Sequence, residues 1–118
     1  MAEEFYPAEI LALPEADIPF EGVRGRLLQG EKGSVVFFDI APIGAVPAHA
    51  HGAQWGMVLE GEMELTLGGK TRTYRRGDRY YIPAGVEHSA RFKSRTFVID
   101  FFAERDRYQP RTIPQPSR

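Results

Sequence analysis

The sequence has 118 residues, a length typical of a single domain. It carries 15 Lys and Arg against 16 Asp and Glu, so the formal net charge is −1 and no basic surplus favours binding to nucleic acid. Cysteine is absent, which excludes disulfides, thiolate metal sites and cysteine nucleophiles. A hydrophobic content of 42%, with 8 Phe and 5 Tyr, is enough to build a core and argues against a disordered chain.

The N-terminal residues are acidic and are not followed by an apolar run. We therefore expect no signal peptide, no membrane-spanning segment and a cytoplasmic protein. Residues 1–22 are predicted to form an N-terminal arm. Within it, the stretch from Ala8 to Leu13 fits a short strand or a single helical turn equally well and stops at Pro14.

Residues 23–104 are predicted to form one domain of short β-strands, closed as a sandwich or a small barrel. Twelve Gly and nine Pro divide the chain into pieces too short for long helices. Gly30–Gly33 and Gly68-Gly69 have the composition of hairpin turns, and no crossover helices separate the strands, so the pairing should be antiparallel. The predicted strands are Arg24–Gln29, Ser34–Ile40, Gln54–Glu60, Glu62–Leu67, Lys70–Arg75, Arg79–Ile82, Glu87–Phe92 and Arg95–Phe102. The remaining residues, 105–118, are rich in Pro and Arg and read as an extended or loose arm.

The three histidines of the chain suggest a metal site. His49 and His51 are two residues apart, and on a strand such side chains point to the same face. Gly52 can supply the bend that brings Gln54 to that face, and His88 lies on another predicted strand. Metal binding by the three His is favoured, with Gln54 as fourth ligand. The alternative for Gln54 is an amide that bonds to backbone beside the site.

The spacing of these residues resembles that of the cupin superfamily. Gly44-x4-His49-x-His51-x2-Gln54-x6-Gly61 resembles its first motif, and Gly77-x5-Pro83-x-Gly85-x2-His88 its second. The resemblance implies an all-β fold, namely a single antiparallel jelly-roll barrel of the RmlC-like type that forms a homodimer. It also implies one divalent metal ion per chain and a small-molecule substrate. Imidazole ligands leave the metal open among Ni, Mn, Fe, Zn, Co and Cu.

Two positions depart from the usual cupin pattern. Gln54 stands where most cupins place Glu, and Phe92 where the second motif often ends in Asn. A neutral amide is a weaker donor than a carboxylate, so the site should hold its metal less tightly and keep one more net positive charge.

The ligand set with Gln54 resembles that of the KdgF-type cupins, which process unsaturated uronates. In that group an Asp, a Phe and an Arg near the C-terminus act on the substrate. The resemblance assigns Asp100, Phe102 and Arg105 to these catalytic roles, and Asp100 and Phe102 have the same strand parity. Arg105 sits one residue closer than in the family pattern. The other arginines that could hold the substrate carboxylate are Arg107, Arg24 and Arg26.

Other interpretations of these residues are open. Asp100, whose pKa we expect to rise in an apolar barrel, could instead hydrogen-bond a strand end, and Phe102 could simply pack in the core. Trp55 and Met57 should lie opposite Gln54, between sheets or at a dimer interface. We expect one of Tyr80 and Tyr81 to face the pocket.

The proposed chemistry is ring opening and tautomerisation of a sugar acid. The alternatives are a cupin dioxygenase using Fe, Ni or Cu, and a non-catalytic module that binds a small molecule. Dioxygenases of this superfamily usually keep the Glu, so Gln54 counts against the first. No helix-turn-helix pattern accompanies the barrel, which argues against a transcription factor.

Overall fold

The computed structural model describes residues 4–42 and 45–112. Gly44 of the first motif and the end of the predicted tail lie outside these residues. The described chain contains one short helix followed by β-strands. The elements are α1 (Ala8–Leu11), β1 (Val23–Gly30), β2 (Gly33–Ile40), β3 (Ala45–His49), β4 (Gln54–Glu60), β5 (Glu62–Leu67), β6 (Lys70–Arg75), β7 (Arg79–Ile82), β8 (His88–Arg91) and β9 (Thr96–Phe102).

The strands form two antiparallel sheets that face each other. The five-stranded sheet has the order β1-β2-β9-β4-β7, and the four-stranded sheet has the order β3-β8-β5-β6. The predicted all-β class and antiparallel barrel are confirmed, and most strand bounds agree with the prediction within one or two residues. Residues 8–11 adopt the helical turn, one of the two conformations that the sequence allowed.

The core lies between the inner faces of the two sheets. Alternating residues of β2, β4, β5 and β9 point inward, including Val36, Val58, Leu65 and Phe102, each at most 3% exposed. The hairpin between β5 and β6 turns at Gly68 and Gly69, whose φ angles of 55° and 86° are those of the left-handed region that a tight hairpin requires.

Segments on both sides of the barrel pack against it. The Tyr6 hydroxyl donates to the Phe38 carbonyl oxygen at 2.6 Å, and Phe5 stacks on Phe97 at a ring distance of 4.2 Å, so the N-terminal segment covers part of the outer face of the five-stranded sheet. After β9, Tyr108 is buried against Phe102. The described part of the predicted tail is therefore attached to the barrel. In residues 4–42 and 45–112, we find no helix with the length and hydropathy needed to cross a membrane.

Candidate metal centre

Three imidazole rings meet inside the barrel. His49 ends β3 and is paired in register with His88, which begins β8, and their ring centroids are 4.3 Å apart. The His51 ring lies 5.1 Å from that of His49 and 4.8 Å from that of His88. One ring nitrogen from each His lies within 4.8 Å of the others, so the three residues can hold one metal ion.

His51 occupies a loop and not a strand. Because β3 ends at His49, the alternation argument applies only up to that residue. The loop is fixed from two sides. The backbone N–H of Gly85, in the second motif, donates to the His51 carbonyl oxygen at 2.9 Å, and that of Gly52 donates to Oε1 of Glu104 at 2.9 Å. The bend expected at Gly52 is present.

The hydrogen bonds of the rings define which nitrogen is available. Nδ1 of His49 contacts the Pro47 carbonyl oxygen at 2.8 Å, and Nδ1 of His88 contacts that of Val86 at 3.0 Å. Nδ1 of His51 contacts the Gly52 carbonyl oxygen at 2.9 Å. A carbonyl oxygen only accepts, so each Nδ1 carries the proton and each Nε2 keeps its lone pair. This is the tautomer that a His needs in order to bind a metal through Nε2.

Two buried polar atoms at the site support the fit of a metal ion. Nε2 of His51 and Oε1 of Gln54 are buried, and neither has a hydrogen-bond partner among the residues that the structure describes. Unpaired buried acceptors are costly, and both atoms are good donors of an electron pair to a divalent metal. Gln54 begins β4 and lines the same cavity as the three His. The donor set therefore fits a divalent cation.

The protonation of the rings also suits metal binding. Burial, together with the positive charges of Arg107, His88 and His49, lowers the pKa of His51 from 6.5 to about 4, against the effect of the Gly52 carbonyl. Burial lowers the pKa of His88 as well. Both rings are therefore neutral at physiological pH and can coordinate without first losing a proton.

Asp100 is buried beside this cluster. It is 2% exposed, and its carboxyl accepts a hydrogen bond from the Tyr80 hydroxyl at 2.6 Å. Burial raises the pKa of Asp100 from 3.8 to about 7, although the hydrogen bonds from Tyr80 and Gln54 act in the opposite direction. The carboxyl can therefore exist in either protonation state near neutral pH.

The cavity around these groups is mostly apolar. It measures about 70 Å³, and Phe102, Phe38 and Tyr108 contribute aromatic walls. That volume is room for several water molecules, so side chains do not fill the barrel completely.

The two C-terminal arginines differ in position. Arg105 does not line the cavity. Its side chain is 57% exposed and lies 4.0 Å from Asp106. The guanidinium of Arg107 lies over the ring of the cavity residue Tyr108 at 4.3 Å, and its Nε is buried without a partner among the described residues. Arg107 does not line the cavity either, but its positive charge acts on His51 and His88, so of the two it lies nearer the metal ligands. Arg24 is 68% exposed and Arg26 bonds to the Leu13 carbonyl oxygen, both away from the cavity.

The structure brings together His49, His51, Gln54, His88, Asp100 and Phe102 in one cavity. Trp55 and Met57 point to the opposite face from Gln54, and Tyr80 is the tyrosine that faces the cavity while Tyr81 is 57% exposed. Sequence reasoning did not find the contact between Tyr80 and Asp100. The signal was Gly56, a glycine inside a strand, which often marks a close approach of other groups.

The family profile of the cupin domain, Cupin_2, matches residues 29–101, more than half of the chain. The chain belongs to the cupin family. Among solved structures, it is similar to KdgF from Halomonas sp., with 24% identity, a TM-score of 0.69, and coverage of 77% of this chain and 89% of that one. An RmlC-like cupin from Shewanella frigidimarina shares 24% identity with a TM-score of 0.70, covering 86% and 90% of the two chains.

The chain is also similar in structure to salicylate 1,2-dioxygenase from Pseudoaminobacter salicylatoxidans, at 15% identity and a TM-score of 0.67, with 73% of this chain and 26% of that one covered. No curated protein matches this cupin significantly by sequence. At these identities the structural likenesses establish the fold.

Proposed function

We propose that this cupin is a metal-dependent isomerase that opens the ring of an unsaturated uronate and converts it to the open-chain keto acid. The observation that carries the proposal is the buried carboxyl of Asp100 beside a three-His and Gln54 donor set. A divalent metal held by His49, His51, Gln54 and His88 would polarise hydroxyl or carbonyl oxygens of the sugar acid. The similarity to KdgF is consistent with this proposal.

Asp100 is the group proposed to move the proton. In the ring-opening step the anomeric hydroxyl loses its proton, the bond between the anomeric carbon and the ring oxygen breaks, and an enol or enolate forms. Protonation of the former double-bond carbon then gives the ketone, with no net gain or loss of atoms. A carboxyl with a pKa of about 7 can accept the first proton and return it to carbon.

Arg107 is proposed to bind the substrate carboxylate. Its buried Nε lacks a partner within the described residues, and its positive charge is close enough to lower the pKa values of His51 and His88. A planar guanidinium suits a carboxylate because it can donate two parallel hydrogen bonds. Phe102, which is 2% exposed and 5.6 Å from the His51 ring, forms an apolar wall that limits water near the reacting atoms.

The proposed assembly is a homodimer that forms through the outer face of the five-stranded sheet. One transverse row on this face joins all five strands in register: Tyr81, Trp55, Phe101, Val35 and Leu28. Four of them, Leu28, Trp55, Tyr81 and Phe101, are at least 39% exposed. Such a row on a single monomer favours a partner.

A second copy of the chain is the proposed partner for this row. The four exposed side chains present about 400 Å² of mostly apolar area, roughly half of what one partner contributes to a standard interface. A flat sheet face can pack on its own copy about a twofold axis. With a formal net charge of −1, two copies repel each other only weakly.

The direct test is turnover of an unsaturated uronate. We expect protein loaded with a divalent metal to remove the ultraviolet absorption of the enol-ether double bond faster than the spontaneous reaction. Protein stripped by a chelator is the control. Retention of that absorption at the spontaneous rate contradicts the proposal. In that case oxygen consumption would assign a dioxygenase, and ligand binding without turnover would assign a binding module.

A further inference from the structure

Gly56 lies on β4, the middle one of the three neighbouring strands β7, β4 and β9, two residues after Gln54. In register it pairs with Tyr80 on β7 and with Asp100 on β9. These outer strands are about 10 Å apart, since neighbouring strands are separated by about 4.8 Å. Because Gly56 has no side chain, the Tyr80 hydroxyl reaches across β4 and donates to Oδ1 of Asp100 at 2.6 Å. A Cβ at position 56 would collide with both residues.

The carboxyl of Asp100 has a second neighbour, the side chain of Gln54. Gln54 lies two residues before Gly56 on the same inward face of β4, beside the carboxyl of Asp100, and acts on it as a hydrogen-bond donor that lowers its pKa. Only the NH₂ end of an amide can donate, so this contact fixes the orientation of the Gln54 side chain. Its Oε1 is then left buried and unpaired in the cavity that the three His line.

We propose that Tyr80 and Asp100 are positioning residues that hold the carbonyl oxygen of Gln54 toward the metal. This inference rests on the metal site of the proposed function and adds a reason for the amide at position 54. In its ionised form Asp100 presents only acceptors, so the residue facing it must offer a donor on one side and an electron pair on the other. Glutamine meets both requirements in its ordinary form.

The test exchanges the donor and the acceptor. In Asp100→Asn, the Tyr80 hydroxyl still donates its hydrogen bond, now to the side-chain amide oxygen at position 100, and the NH₂ group at that position faces Gln54. Gln54 then turns its own oxygen to that NH₂ and directs its NH₂ at the metal. We expect Co²⁺ affinity to fall about 10- to 100-fold, as it does when groups behind metal ligands are changed. In the double variant Asp100→Asn with Gln54→Glu, a carboxylate oxygen accepts from Asn and another faces the metal, so affinity should return.

Calorimetric Co²⁺ titration of the two variants and the parent decides the matter, with the visible spectrum of bound Co²⁺ reporting its ligands. Tyr80→Phe should weaken binding, while Tyr81→Phe, on the exposed neighbour, should not. An unchanged affinity in Asp100→Asn, or no recovery in the double variant, overturns the inference. Activity is a separate readout. A double variant that binds Co²⁺ but turns over no uronate supports both this inference and the role of Asp100 as the proton carrier. If the double variant recovers Co²⁺ affinity but the parent protein has no uronate activity, only the proposed function is refuted.

Discussion

The hydroxyl of Tyr80 reaches Asp100 across the strand between them, at 2.6 Å, through the space left by Gly56. The contact joins two strands that are not neighbours in the sheet. It gives a buried carboxyl a hydrogen-bond donor that is itself buried. The integrity of the site therefore depends on a position that has no side chain.

Gly56→Ala should disturb the site through this contact. The added methyl group collides with Asp100 and Tyr80, so one of them must move. We expect a loss of about 1 to 3 kcal/mol in the free energy of unfolding, together with weaker metal binding. Gly30→Ala is the matched control because its Cβ would have only an ordinary contact, 3.8 Å from the Gly33 carbonyl oxygen. Denaturant unfolding measures both, and equal stability of the two variants would contradict the prediction.

His88→Ala should remove most of the metal affinity. The ring is 6% exposed, and its Nδ1 bond to the Val86 carbonyl oxygen leaves Nε2 available as a ligand. We expect binding of Zn²⁺ to weaken about 100-fold or more. Competition with a coloured chelator measures the affinity. Glu87→Ala changes the exposed neighbouring residue and should bind as the parent does, so a parallel loss in that variant would point to unfolding of the β8 region.

The two C-terminal arginines should behave differently. Arg107→Gln should raise the KM for a uronate about 10- to 100-fold, because a charge-assisted pair to the substrate carboxylate is lost. Arg105→Gln should stay within about twofold of the parent, since Arg105 is exposed and faces away from the cavity. Steady-state kinetics separate the two, and a larger effect of Arg105→Gln would restore the assignment that the sequence favoured.

The contribution of Asp100 to the stability of the metal-free protein should decrease as pH rises toward neutrality. Asp100 has a pKa of 3.8 in a free chain and about 7 in the fold, so the folded state holds a proton that the unfolded state has released. The contribution of Asp100 to the free energy of unfolding is fully present below about pH 4 and is lost as pH rises through about 7, with a magnitude on the order of 4 kcal/mol. Lowered pKa values at His51 and His88 act in the opposite direction in acid.

Comparison of the parent with Asp100→Asn isolates the Asp100 contribution. The free energy of unfolding of each chelator-treated protein is measured with urea at several pH values. The difference between the two free energies should change between pH 4 and 7. A difference that stays constant over this range would show that Asp100 has the same pKa in both states.

Charge placed on the apolar row should separate a dimer. Trp55→Lys puts a cation in the middle of the row, where a second copy would bury it without a partner. We expect sedimentation velocity to show a dimer for the parent and a monomer for this variant. Thr73→Lys, on the exposed strand β6 of the other sheet, should leave the dimer intact. A parent that sediments as a monomer at micromolar concentration contradicts the proposed assembly.

Local pattern was sufficient to predict most strands, whereas the meeting of the His residues was predicted from the spacing of the two cupin motifs. Alternation in Glu62–Leu67 and the Gly68-Gly69 turn are local signals that the structure follows. Strand β3 was missed because Ala45–His49 is short, contains Pro47 and pairs irregularly with β8.

The contact of Tyr80 with Asp100 could not be predicted because it depends on the registers of β7 and β9 against β4. Likewise, side chains alternate between the two faces of the sheet only as far as Phe102, the last residue of β9. The chain then turns before Arg105 and Arg107, so counting residues could not decide which arginine approaches the cavity.

Each imidazole is oriented by an oxygen one or two residues away in its own segment. The coordinating geometry is therefore encoded locally, and we expect it to persist when the ion is removed. Little ordering entropy remains to be lost when a cation is captured, so different divalent ions should exchange in the native protein at rates limited by ligand release and access, without any unfolding step.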